Sequence, residues 1–263
     1  MLALICGRGA LPAAVAKAQP TMPLVCALAG FPPDGLDPDL TFRIEQLGSV
    51  LKELKRLGVT EVCFCGAINR PDFDPAFLDE ATQPLVPVLQ ATFAAGDDGA
   101  LRAILKLFLD AGFIVRGAHE LAPDILIAEG QHGVSEMPSG LEADVARADA
   151  VLAALSPLDI GQGCVVGGGQ VWGIETIGGT DHMLRTLPHG AAAARAVLVK
   201  APKAGQEMRA DMPTMGPETI RAAKDAGLAG VVVTAGEVVV LSPDETAREA
   251  RAGGLVFWAR ARS

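Results

Sequence analysis

Tyrosine is absent from this chain, and all aromatics together make up 4% of its 263 residues. Single-strand nucleic-acid binders stack bases on such side chains, and a formal net charge of −9 repels a phosphate backbone. Both features argue against nucleic acid as a partner. Long hydrophobic runs are also missing. Mean hydropathy is high at +0.33, yet no apolar run approaches the ~20 residues that a spanning helix needs. The opening MLALICGRGALP has no basic n-region and reads as a first strand rather than a signal peptide. Cysteine is sparse and odd in number, at five. Cys6, Cys26, Cys63 and Cys65 lie in apolar strand-like runs, which suits a reducing cytoplasmic setting. Cys63-x-Cys65 is not a zinc spacing, and His119, His132, His182 and His189 are scattered. No GxSxG, Walker A or HExxH motif occurs.

Apolar residues make up 50% of the chain and charged residues 20%, enough for a full core in one large or two modest domains. Residues 1–128 alternate strand-like and helix-like segments. LALIC, PLVCALAG, VTEVCFCG and FIVRG read as strands. Between them, Leu47, Val50, Leu51, Leu54 and Leu57 keep helical spacing within 46–57, and 84–95 and 97–111 also read as helices. This β-α-β-α order predicts a parallel sheet covered by helices on both faces. Residues 129–140, EGQHGVSEMPSG, are polar and aperiodic and read as an interdomain linker. Residues 141–263 read as a second α/β domain. It has a helix over 141–155, a Gly-rich hairpin in GCVVGGGQVWGIETIGG, and strands on either side of Ala235-Gly236.

Polar groups gather at turns. Gly7-Arg8-Gly9-Ala10 stands where the first strand meets the first helix, a position suited to a phosphate or simply to a tight turn. Asn69, Arg70 and Asp72 leave the end of a buried strand. Gly96-Asp-Asp-Gly99 opens a helix; one Asp serves as its cap, and Asp98 is surplus to capping. Gly117-Ala-His-Glu120 reads as a helix start or an acid–base pair, with the helix start preferred. Asp159 to Gly163 and Gly179-Thr-Asp-His182 are further polar glycine turns, in which Thr180 or Asp181 caps a helix or Asp181 ligates Mg²⁺. The densest charge lies in Lys200 to Gly216, KAPKAGQEMRADMPTMG. Its alternation places Glu207, Arg209 and Asp211 on one face of an extended chain, as a protective charged edge or as a site for phosphate and metal.

Taken in order, GRGALP, FCGAINRPDF, GDDGALR, GFIVRGAHE, DIGQG, GTDHMLR and KAPKAGQEMRADMPTMGPET resemble the LpxI-type UDP-2,3-diacylglucosamine pyrophosphatases of lipid A biosynthesis. The resemblance runs from Gly7 to Thr219. Arg8 stands where the family often has Gly, and Ala204-Gly205 where Pro is frequent. It implies an α/β protein with an N-terminal Rossmann-like domain, a C-terminal mixed α/β domain and the substrate between them. It also implies Mg²⁺- or Mn²⁺-dependent water attack at the α-phosphorus, giving UMP and 2,3-diacylglucosamine 1-phosphate. The family's essential aspartate matches Asp211 in RADMPT.

Together the residues and the resemblance nominate Asp211, Arg209 and Glu207 as catalytic, and Asp211 and Asp181 as metal ligands. Gly9, Ala10, Asn69, Asp72, Asp98, Gln162, Thr180, Lys200, Lys203 and Thr214 are nominated as substrate-binding. The expected partners are a lipid-linked UDP-sugar and, transiently, the inner face of the inner membrane; a homodimer is compatible. The competing readings are a nucleotide-dependent oxidoreductase and a non-catalytic lipid or nucleotide-sugar binder.

Overall fold

The computed structural model describes residues 1–68, 71–94, 96–134 and 136–262. The chain forms two compact units. The first comprises Met1–Pro123 and Glu207–Asp211; the second comprises Asp124–Gln206 and Met212–Ser263.

In the first unit, β1 (Leu2–Cys6) leads to α1 (Leu11–Lys17), β2 (Leu24–Leu28), β3 (Leu40–Phe42) and α2 (Leu47–Arg56). Then come β4 (Glu61–Cys65), α3 (Val86–Ala94), α4 (Asp97–Asp110), β5 (Ile114–Arg116) and a short α5 (Ala118–Leu121). The strands form one parallel sheet in the order β3-β2-β1-β4-β5. That order reverses between β1 and β4, the switch point where such sheets bind ligands at their C-terminal ends. Strands β1, β2 and β4 are apolar on both faces because helices cover both sides. The Leu stripe of α2 buries Leu47, Val50, Leu51 and Leu54 against Val62, Phe64 and Phe108. Phe64 and Phe108 meet edge to face, their centroids 5.0 Å apart.

In the second unit, β6 (Gly130–Gln131) precedes α6 (Leu141–Leu155), β7 (Gly163–Gly167), β8 (Gln170–Ile174), α7 (Gly179–Arg185) and α8 (Gly190–Ala193). Next are β9 (Val197–Lys200), β10 (Thr214–Met215), α9 (Pro217–Asp225), β11 (Gly230–Thr234), β12 (Val239–Val240), α10 (Pro243–Gly253) and β13 (Val256–Arg260). Six strands form a mixed sheet, β6-β13-β11-β9-β7-β8. Its centre, β13-β11-β9, is parallel, and the expected Gly-rich hairpin is the antiparallel pair β7–β8. The strands flanking Ala235-Gly236 do not pair with each other; β12 joins β10 in a separate two-stranded parallel sheet. The stretch read as a linker contains β6, which pairs antiparallel with β13. Polarity hid it because a two-residue edge strand is specified by its partner's backbone rather than by its own side chains.

Among the described residues, no helix is long and apolar enough to cross a membrane. All five cysteines are free and buried. Burial pushes the Cys26 thiol up to about 12 and Cys164 up to about 11, so both stay protonated and inert at neutral pH.

Candidate functional site

The first glycine turn is occupied by its own chain. Gly7 N–H donates to the Cys65 carbonyl at 2.9 Å, and Arg8 N–H donates to the Ala67 carbonyl at 2.9 Å. A Cβ on Gly7 would lie 2.5 Å from that Ala67 oxygen, so glycine here serves the close approach of the β1 and β4 ends. These two amides are engaged and do not face a dinucleotide pyrophosphate. Gly9 has a φ of +93° and Ala10 is the N-cap of α1. Asn69 and Arg70 lie outside the described residues.

Beside this turn, a cleft of about 350 Å³ is lined by Arg8, Phe31, Arg43, Glu45 and Asp72. It lies at the C-terminal ends of β1, β2 and β3. Arg8 donates to the Gly30 carbonyl at 2.7 Å and covers the Phe31 ring at 5.0 Å. Arg43 pairs with the fully buried Glu45 at 3.0 Å and covers Phe77 at 4.3 Å. Burial alone would raise the Glu45 pKa, but hydrogen bonds from Arg43 and from the Asp74 N–H outweigh it and hold the carboxyl below its usual range. Arg43 and Glu45 carry no motif; the apolar stretch around them gave no signal in the sequence.

The expected extended face of Glu207, Arg209 and Asp211 is not formed. Ala210 N–H and Asp211 N–H both donate to the Glu207 carbonyl, at 3.1 and 3.0 Å, closing a single turn. The Glu207 carboxylate accepts from Arg209 at 2.8 and 2.9 Å. This local pairing with the next-but-one residue favours a turn over the pleat that the alternation suggested. The Arg209 hydrogen bond holds the Glu207 carboxyl below the usual carboxylate range, against the opposing effect of burial. Ala210 packs on the core of the first unit. Asp98, from the first turn of α4, pairs with Arg102 at 2.7 Å and lies 3.4 Å from the Glu207 amide. Gly96, not an aspartate, is the N-cap of α4. Asp211 is half-buried. In the GAHE motif, Glu120 pairs with Arg116 at 2.7 Å, while His119 Nδ1 is buried with no partner among the described residues.

The second unit gathers the lysines at the C-terminal end of β9. Lys200 is 3% exposed. Its Nζ donates to Thr180 Oγ1 at 2.6 Å and lies 3.6 Å from Glu175 Oε2. The N-cap of α7 is Gly178, so Thr180 serves Lys200 and not the helix end. Lys203 Nζ pairs with Asp159, and its backbone N–H donates to Gln206 Oε1 at 2.9 Å. Asp159 has a left-handed φ of 57° and ends the helical turn after α6. The Gln162 carbonyl accepts from Ala201 N–H at 3.1 Å. Thr214 lies in β10, its hydroxyl donating to the Met212 carbonyl at 3.1 Å. Glu175 was missed by sequence reasoning, since a single carboxylate after a hairpin strand carries no signal.

Asp181 is exposed. It lines a separate cavity of about 750 Å³ together with Arg185, His189, Glu218, Arg221 and Asp225. Among the described residues, no group of three or more His, Cys, Asp or Glu side chains is placed to hold a metal ion.

Residues 1–125 match the family model of the LpxI N-terminal domain, and residues 128–258 match that of the LpxI C-terminal domain. Over 253 residues the chain is 39% identical to the UDP-2,3-diacylglucosamine pyrophosphatase LpxI of Caulobacter vibrioides. The match covers 91% of this chain and 90% of that protein.

Proposed function

The chain belongs to the LpxI family, and from that premise we propose that it hydrolyses the pyrophosphate of UDP-2,3-diacylglucosamine. In this reading water attacks the α-phosphorus and gives UMP and 2,3-diacylglucosamine 1-phosphate. The observation that carries it is the end-to-end similarity to a pyrophosphatase with that substrate, at 39% identity.

The residues suit the chemistry. The substrate's pyrophosphate carries about two negative charges, which charge-assisted donors neutralise. Lys200 and Lys203 are held by Thr180, Glu175 and Asp159 and supply such donors. Arg209, fixed by Glu207, supplies a third cation. Asp211 takes the role of the family's aspartate, accepting a proton from the attacking water or orienting it. The cleft with Arg8, Arg43 and Asp72 is proposed as the seat of the nucleotide, since it lies at parallel strand ends. Its volume is within the ~300–1,000 Å³ usual for such ligands.

Mg²⁺ fits this donor set only as an ion shared with the substrate, because no three-carboxylate cage occurs among the described residues. Asp211 would be its protein ligand, and phosphate oxygens and water would supply the rest. When bound, it would neutralise charge on the pyrophosphate. The diacyl substrate would be met by transient contact with a membrane surface.

The test is incubation with UDP-2,3-diacylglucosamine and Mg²⁺ in ¹⁸O-water. Label in UMP is expected. Label in the sugar phosphate would move the attack to the β-phosphorus, and no release of UMP would end the hydrolase reading.

A further inference from the structure

We infer that Glu175 is a positioning residue that fixes the Lys200 ammonium for a substrate phosphate; the inference rests on the hydrolase reading above. Strands β9, β7 and β8 lie side by side, and Lys200 pairs with Gly163 in register. Glu175, just past the end of β8, donates its N–H to the Gly163 carbonyl at 2.8 Å. Lys200, Gly163 and Glu175 therefore stand in one row across three strands. Side chains in such a row meet only if the middle one leaves room.

Gly163 leaves that room. A Cβ there would lie 2.6 Å from Glu175 Oε2, so the carboxylate passes over the glycine toward Lys200. Gly161, with a φ of +61°, is equally tight, its Cβ position 2.1 Å from the Glu175 carbonyl. Both glycines of the Asp159–Gly163 turn are thus accounted for by the seating of Glu175.

The Glu175 carboxylate is nearly enclosed, its side chain 14% exposed. Oε2 has no hydrogen-bond partner among the described residues, and the Lys200 ammonium at 3.6 Å is a charge neighbour beyond hydrogen-bond range. An ionised carboxylate in this position is held by that cation, and the cation by it. An ammonium has three donors. Thr180 Oγ1 takes one and Glu175 faces a second. The third is left for a phosphate oxygen, with its direction set by the other two. Glu175 acts through Lys200 and does not touch the substrate itself.

The test is a double-mutant cycle on UMP release, with Glu175→Gln, Lys200→Ala and the two combined. Glu175→Gln is expected to lower kcat/KM by about 10²-fold, the scale of a misplaced catalytic contact, and to lower the melting temperature as well, because the enclosed Lys200 ammonium loses its counter-charge. In the Lys200→Ala background the same change is expected to have no further effect. Gly163→Ala, whose added methyl displaces the carboxylate, is expected to reproduce the Glu175→Gln loss. Additive losses in the double variant overturn the inference, as does a Glu175→Gln enzyme within about twofold of wild type.

A second measurement needs no substrate. A pulse of acetic anhydride read by mass spectrometry is expected to label Lys200 about tenfold more slowly than exposed Lys17, as for a group that reacts through local opening. Glu175→Gln is expected to remove most of that protection. Lys200 labelling that is unchanged by Glu175→Gln overturns the inference. If wild-type protein releases no UMP, the hydrolase reading fails, and this comparison still decides whether Glu175 holds Lys200.

Discussion

The two ends of one short stretch handle charge in opposite ways. Lys200 is buried and Lys203 half-buried in the second unit, and their carboxylate partners come from Glu175 and Asp159, far away in the sequence. Glu207 and Arg209 belong to the first unit, are partly exposed, and pair with each other within one turn. The first arrangement makes each cation's position depend on the whole mixed sheet. The second makes a charged pair within three consecutive residues, Glu207 to Arg209, with little reliance on distant structure. Long-range pairs fix where a charge points; a local pair fixes the shape of a turn and carries Asp211 with it.

This contrast can be tested from its largest expected effect to its smallest. Asp211→Ala removes the carboxylate that the turn presents, and is expected to cut UMP release by about 10²–10⁴-fold without unfolding the protein. A folded variant with wild-type turnover would dissociate the turn from catalysis. Asp159→Ala leaves the Lys203 ammonium enclosed without its counter-charge. It is expected to cost about 2 kcal/mol, below the cost of breaking a fully buried pair, and to lower activity as well. Denaturant unfolding with an unchanged m-value would read the first effect. A loss near zero would make this pair no more dependent on distant structure than the local one.

Glu207→Gln is expected to have the smallest effect on stability, about 0.5 kcal/mol, as for a partly exposed local ion pair. Its sign with pH follows from the direction of the shift. The Glu207 carboxyl is held below its unfolded value by Arg209. Its contribution is therefore fully present above the ordinary carboxylate range, and is lost as pH falls through the lowered folded value. Stability measured across that acidic range should fall less steeply for Glu207→Gln than for wild type. An identical slope would mean that the pair adds nothing to the turn.

Much of the architecture could be read from residue patterns. Leu47, Val50, Leu51 and Leu54 marked α2, and the apolar runs at 2–6, 24–28 and 61–65 became the buried parallel strands. Such elements are strongly patterned because each must bury a face or both faces. Among the strands of two or three residues, β3, β6 and β10 carry no readable period, and they form because a neighbour offers its edge. The alternation over 207–212 misled for a related reason. Period two is a strand signal only when a sheet is there to read it, and here the Glu207 carboxylate and carbonyl close the chain on itself. The glycines of Asp159–Gly163 were visible as a turn, but the carboxylate they admit was not.

By itself the sequence determined the two α/β halves, the ordered motifs that place the chain in its family, and the nomination of Lys200, Lys203 and Asp211. These depend on local periodicity and on residue type, which a linear text records. Only the tertiary structure decided that Glu175 and Thr180 hold Lys200, that Arg43 and Glu45 line a cleft beside Arg8, and that Glu207 to Asp211 form a turn in the first unit. Those outcomes depend on strand register and on which backbone approaches which. Register across neighbouring strands joins residues with no fixed separation along the chain.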